Sequence, residues 1–154
     1  MVRIEVDTVI SAPIQTCFDL ARSLSAHVAT TTETGEKVVS THTSDLLVFG
    51  DEVTFEAKHL GFRRQLTGRI VEFDEPTFFA DWMVKGSFQT LRHEHRFVTL
   101  PSGDTKMTDI LVFLSPFGFI GRQFDRIYLS GYMERFIRQK GVALKALAEK
   151  QVNL

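Results

Sequence analysis

Residues Phe117 to Leu147 form the longest helical pattern in the chain, and the rest of the sequence has to accommodate it. Its first half is apolar nearly all round, with Phe119, Ile120, Phe124, Ile127, Tyr128, Leu129, Tyr132, Met133, Phe136 and Ile137. An ordinary surface helix carries one apolar stripe, so this one is expected to be wrapped on most sides. Unbroken, it would run about 45 Å at 1.5 Å per residue. Its second half, Arg138 to Leu147, sets Val142, Leu144 and Leu147 among charges and reads as amphipathic. Gly131 and Gly141 mark places where it can bend, and Gly131, amid large side chains, predicts space for a ligand or a close-packed strand.

The preceding chain reads mainly as strands. Val2, Ile4, Val6 and Ile10 alternate with Arg3, Glu5 and Asp7, the pattern of a half-buried strand. Ser11-Ala12-Pro13 is a helix-start signal. Ile14, Cys17, Phe18 and Ala21 then follow at one helical face, and Leu24 to Val28 predicts a short second helix. Thr30 to Thr34 reads as loop and Glu36 to Thr43 as strand. Leu46, Leu47, Val48 and Phe49 lie between turn-forming Ser44-Asp45 and Gly50-Asp51; they read as a strand or as an oily loop gating an opening. Strands over 52–59, 62–73, 77–85, 88–99 and 105–114 are separated by short turns and predict an antiparallel meander. Strands beside segregated helices make an α+β fold, and a sheet this long must curl around its helix.

A length of 154 residues fits a single domain over 1–154. Fourteen Phe against two Tyr and one Trp ask for a dry interior or an oily ligand, since Phe has no polar tip. A net charge of −1 with mixed signs argues against nucleic acid as the main partner. The single cysteine, Cys17, excludes an internal disulfide, fits a reducing compartment and reads as a small buried hydrophobe. Neither a signal-peptide core nor an 18-residue apolar run is present, so a soluble cytoplasmic protein, monomeric or weakly dimeric, is expected.

Chemistry concentrates on Leu91 to Phe97. Period two puts Leu91, His93, His95 and Phe97 on the inner face and Arg92, Glu94 and Arg96 on the outer one. Inward imidazoles need partners. Asp109 shares parity with Met107, Leu111 and Phe113 and is the candidate; His59 shares parity with Val53 and Phe55 and can join. The pattern admits an acid–base couple of His93 or His95 with Asp109, a metal site, a group orienting an apolar ligand, or a satisfied polar core. A lone His-x-His is a thin metal motif, and no metal or other cofactor is assigned. Trp82 is placed inward with Val84 because its parity partners carry no charge, whereas Phe79 and Met83 share parity with Asp81.

The opening strand with Ser11-Ala12-Pro13-Ile14, Gly50-Asp51, Asp74-Glu75-Pro76, Gly86-Ser87-Phe88, His93-Glu94-His95-Arg96-Phe97, Thr105 to Asp109 and Pro116-Phe117-Gly118 together resemble the START-like (SRPBCC) superfamily. Within it, the bacterial polyketide cyclase/dehydrase and lipid-transport-like proteins are the nearest pattern. The resemblance spans the chain and implies a helix-grip fold: about seven antiparallel strands curved around the long C-terminal helix, two short helices after strand 1, and a deep apolar cavity. The two-His-and-carboxylate iron site of oxygenase relatives, borne mainly on helices, does not map onto His93 and His95. The expected function is binding of a lipid, isoprenoid or polyketide-like molecule. Phe55, Ala57, His59, Trp82, Val84, Leu91, Phe97, Leu111, Phe124, Tyr128, Gly131 and Tyr132 are the expected lining, with Leu46 to Phe49 as gate. The alternatives are a cyclase/dehydratase using His93, His95 and Asp109, and a protein-interaction module with a filled core.

Overall fold

A computed structural model describes residues 1–153. The chain runs β1 (Val2–Ile10), α1 (Ile14–Ala21), α2 (Leu24–Thr30), β2 (Lys37–Val38), β3 (Glu52–His59), β4 (Phe62–Asp74), β5 (Phe78–Lys85), β6 (Thr90–Thr99) and β7 (Thr105–Leu114). It ends in one helical run, α3 (Gly118–Phe124), a π-type turn over Asp125–Leu129, and α4 (Ser130–Val152). The strands form one curved antiparallel sheet in the order β1-β7-β6-β5-β4-β3-β2. β3 to β7 are the meander that the short turns predict. β1 closes the sheet by pairing with β7, from Val2 opposite Phe113 to Ile10 opposite Thr105. This is a helix-grip architecture, with the curved sheet set against the long C-terminal helix.

Two apolar clusters hold helices to sheet. In the first, Phe18 of α1 is fully buried and meets Phe73, Phe79 and Phe97 edge-on, at ring-centroid distances of 5.4, 5.4 and 5.5 Å. Ile10, Met107, Leu144 and Ala148 complete it. In the second, Met133 and Ile137 of α4 pack on Ile4, Val6, Leu111 and Phe113. α4 lies close on β1 at Gly141, where an added Cβ would come 2.7 Å from Thr8 Oγ1. Gly121 is tighter still: a Cβ there would sit 1.9 Å from the Pro116 carbonyl oxygen, so α3 can start against β7 only with glycine.

Three expectations are corrected. The strand over Glu36 to Thr43 shrinks to Lys37–Val38, because the Ser40 hydroxyl takes the Thr54 N–H that a longer ladder would need. The apolar first half of the long helix is not wrapped: Phe119, Ile120 and Ile127 are 67%, 76% and 79% exposed. This segment leaves the sheet and spans the open end of the molecule, so only one side of it has protein to cover it. Gly131 lies on that outer side, and a Cβ added there would meet nothing within 4 Å, so it frames no close approach.

Phe18→Ala removes a ring that ties α1 to β4, β5 and β6. Chemical denaturation should show a loss of roughly 3–5 kcal/mol, the usual cost of a buried Phe truncation. A loss under about 1 kcal/mol would mean that α1 is not anchored there.

Candidate functional site

Sheet and helices enclose a cavity of about 940 Å³, so the interior is not filled. Its closed end is lined by buried Leu47, Val53, Ile70, Phe79 and His95. Its exposed lining, Leu60, Phe62, Phe117, Ile120 and Phe124, comes from the β3–β4 hairpin and from α3 and the residue before it. Between these lie Phe55, Ala57, Leu66, Leu91, Leu111, Met133 and Phe136. The walls are therefore mainly apolar, as small-molecule sites are. Two polar clusters interrupt them.

The first lies on the inner faces of three neighbouring strands. Register places Asp81 opposite His93, and His95 opposite Asp109. His93 Nε2 is 3.0 Å from Asp109 Oδ1, and His95 Nδ1 is 3.0 Å from the same oxygen. His95 Nε2 is 3.4 Å from Asp81 Oδ2. The His95 ring also stacks on Phe79 at 4.3 Å and lies tilted against the His93 ring at 3.9 Å. Burial works against charge on every member, and the pairing decides the outcome. Burial disfavours the Asp109 and Asp81 carboxylates, but the two histidines outweigh it and hold both below the usual carboxylate range. His95 is also penalised by burial, yet its two carboxylates raise it above an ordinary imidazole. His93 is lowered by burial and by the neighbouring His95 charge, which Asp109 only partly offsets. The pairing thus favours the imidazolium form at His95, between two carboxylates, over that at His93 beside it. Asp81, His93 and His95 also offer donor atoms within 4.8 Å of one another. That is a donor set for a divalent ion, but both His95 nitrogens already face carboxylates, so metal binding would have to displace its proton and both pairings.

The second cluster joins α2, the loop before β2, the end of β3 and the long helix. His27 Nε2 bonds Glu36 Oε2, and Lys140 Nζ lies 3.0 Å from His27 Nδ1. His59 Nδ1 lies 2.8 Å from the Tyr132 hydroxyl, and His59 Nε2 is 3.7 Å from Glu36 Oε1. Burial disfavours the Glu36 carboxylate, but His27, His59 and Lys140 outweigh it and keep Glu36 ionised. His27 is lowered by burial and by the Lys140 charge against the pull of Glu36. Lys140 carries charge toward Asp81 as well, so it stands between the two clusters. No buried side-chain nitrogen or oxygen among the described residues lacks a hydrogen-bond partner.

The structure brings His93, His95 and Asp109 together, and puts Phe55, Ala57, His59, Leu91, Leu111, Phe124 and Tyr132 on the cavity wall. It moves others off it. Trp82 is 40% exposed on the outer face, between Arg69 and Arg92 in the register, and Val84 is exposed at the register shift between Met83 and Lys85. The inner face of β5 carries Phe79 and Asp81 instead; the Asp81 charge is accommodated by His95 rather than by solvent. Phe97 is buried under Phe18 and reaches no cavity. Tyr128 stacks outside on Phe124 at 5.7 Å, and Gly131 faces out. Of Leu46 to Phe49, only Leu47 lines the space, pinned by Leu47 N–H to Arg22 O at 3.0 Å; Leu46 bridges to Ser23, and Val48 and Phe49 point outward. His27, Glu36, Asp81 and Lys140 are the residues that sequence reasoning missed. Only Asp81 carried a signal, its parity with Phe79 and Met83.

No family model and no curated protein matches the sequence. Solved structures do match in shape. The Zhui aromatase/cyclase from Streptomyces sp. R1128 aligns with a TM-score of 0.80 at 15% identity, covering 98% of this chain and 95% of its own. A START superfamily protein from Mycobacterium smegmatis gives 0.73 at 12% identity, covering 97% and 98%. Ginseng major latex-like protein 151 from Panax ginseng gives 0.68 at 15%, covering 96% and 97%. At such identities the likeness establishes the fold and no residue role. No helix among the described residues is long and apolar enough to cross a membrane.

Histidine NMR titration should find His95 titrating above His93 and His27, both of which should lie below the ordinary imidazole range. The linkage signs differ. The raised His95 contributes stability that is present below the unfolded imidazole range, about pH 6.5, and is lost as pH rises through its folded value. The depressed Asp109 contributes stability that is present above the unfolded carboxylate range, about pH 4, and is lost as pH falls. Asp109→Asn should cost roughly 3–5 kcal/mol at neutral pH, because it leaves buried histidines short of a charge partner. An unchanged His95 titration in Asp109→Asn would contradict the assignment.

Proposed function

We propose that the chain binds a hydrophobic or amphipathic small molecule, of lipid, isoprenoid or polyketide-like class, between the sheet and the C-terminal helix. The observation that carries this reading is the cavity of about 940 Å³ whose apolar walls are broken only by compact polar clusters. Its size is near the upper end of the ~300–1,000 Å³ of ordinary small-molecule sites. Burying an apolar ligand there would release water from Leu66, Leu91, Leu111 and Phe136, a gain of about 25 cal/mol per Å² covered. The polar clusters would then fix which end of the ligand lies deepest. Leu47, Leu60, Phe62, Ile120 and Phe124 complete the proposed lining, with the last four at the opening.

A second reading rests on one specific observation, the His93–Asp109 hydrogen bond beside a neutral-imidazole environment on the cavity wall. A neutral imidazole with a carboxylate to orient it is a general base. In this reading His93 takes a proton from a bound polyketide-like substrate, Asp109 steadies the resulting imidazolium, and His95 supplies positive charge nearby. The reaction class would be cyclisation or dehydration, the class named for the Zhui aromatase/cyclase.

Both readings require an occupied cavity. The fluorescent probe N-phenyl-1-naphthylamine should bind and brighten with micromolar affinity. Leu66→Trp, which narrows the cavity, should weaken it by about tenfold or more, roughly 1.4 kcal/mol. Trp82→Ala, on the outer face, should leave affinity unchanged. Equal binding to the wild type and Leu66→Trp would place the probe elsewhere and overturn the proposal.

A further inference from the structure

The Tyr132–His59–Glu36 line has a defined hydrogen-bond polarity. The Lys140 ammonium can only donate, so at 3.0 Å it makes His27 Nδ1 the acceptor. The His27 proton therefore sits on Nε2 and goes to Glu36 Oε2. That keeps Glu36 an acceptor and leaves its other oxygen, Oε1, facing His59 Nε2 at 3.7 Å. This contact is longer than a hydrogen bond in the resting state and has room to tighten if His59 gains charge. On the other side of the ring, His59 Nδ1 lies 2.8 Å from the Tyr132 hydroxyl. Tyr132 is raised by burial and by Tyr128, so it stays a neutral hydroxyl with one proton to give. Giving it to His59 leaves the oxygen's lone pairs for whatever occupies the cavity that Tyr132 and His59 both line. Phe136 packs edge-on against His59 at 5.4 Å and leaves the ring partly buried.

We propose that Tyr132, His59 and Glu36 form a proton-accepting triad for a cavity ligand that carries an acidic hydroxyl, phenolic or enolic. The inference rests on the reading that the cavity holds an apolar small molecule, and it names the polar group of that molecule. The ligand O–H bond breaks as its proton passes to Tyr132 Oη, while the Tyr132 proton passes to His59 Nδ1. The ligand becomes an oxyanion and His59 an imidazolium, so net charge is unchanged. The imidazolium is drawn to Glu36 Oε1, and the Glu36 charge is in turn held by His27 and Lys140. The other ionisable groups acting on this line are Tyr128 and Arg135 of the long helix, both felt at Tyr132.

The test uses 4-hydroxy-4′-nitrobiphenyl, whose phenolate absorbs at longer wavelength than the phenol, and 4-methoxy-4′-nitrobiphenyl, which has no proton to give. Bound to the wild-type chain, the hydroxy probe should be ionised at lower pH than in water, with its phenolate-to-phenol ratio raised about tenfold or more. Tyr132→Phe and His59→Gln should abolish that shift in the bound hydroxy probe, read at protein concentrations that saturate it. An ionisation ratio in the wild-type complex equal to that in water would overturn the triad. A shift that survives in both variants would overturn it too, and neither outcome touches the cavity reading. Failure of the methoxy probe to bind the wild type overturns both.

Discussion

The arrangement turns on one carboxylate. Asp109 Oδ1 lies 3.0 Å from both His93 and His95, and it sits on the inner face of a strand that otherwise presents Met107, Leu111 and Phe113 to the interior. Without that oxygen, two imidazoles would face an apolar space with too few partners, and the sheet would gain nothing from carrying them. With it, charge on His95 is favoured between Asp109 and Asp81, and charge on His93 is disfavoured. The polar group is thus settled inside the wall rather than in the void. A ligand meets finished surfaces and does not have to repair them.

The second constraint is how α4 is seated. It rests closely on β1 at Gly141 and through Met133 and Ile137, and α1 closes the far side through Phe18. α4 is anchored along one margin of the sheet, on β1 and β7, and α1 covers only one end of β4, β5 and β6. The rest of the inner face from β3 to β6 is left facing a space rather than a helix. Lys140, on the cavity side of α4, is the charge shared by the two clusters, which makes the polar end of the space one electrostatic unit. The apolar residues of α3 and the π-type turn then stand at the opening, where Phe119, Ile120 and Ile127 have no protein over them.

Much of this is legible in the sequence wherever a strand obeys strict period two between clear turns. β6 and β7 do, and parity alone puts His93, His95 and Asp109 on one face. β5 does not yield, for two reasons. Charge is a poor guide to its parity, because Asp81 looks like a solvent residue until His95 supplies its counter-charge. The β4–β5 pairing also shifts register at Thr67/Gly68 and Ile70/Glu72, so hairpin counting fails there. Phe97 shares the histidine face but lies where α1 covers the sheet, and strand periodicity says nothing about which part of a face a helix covers. His27, Glu36 and Lys140 come from a short helix, an irregular loop and the second half of the long helix. Their meeting depends on how those elements dock, so no local pattern announces it.

If the space between sheet and helix takes a ligand, anomalous diffraction at the bromine edge from crystals grown with 12-bromododecan-1-ol will locate it. A bromine peak is expected inside the grip, within van der Waals reach of Leu66, Leu111 or Phe136. Bromine found only on the outer surface, with those side chains collapsed together to fill the interior, would contradict a ligand site there.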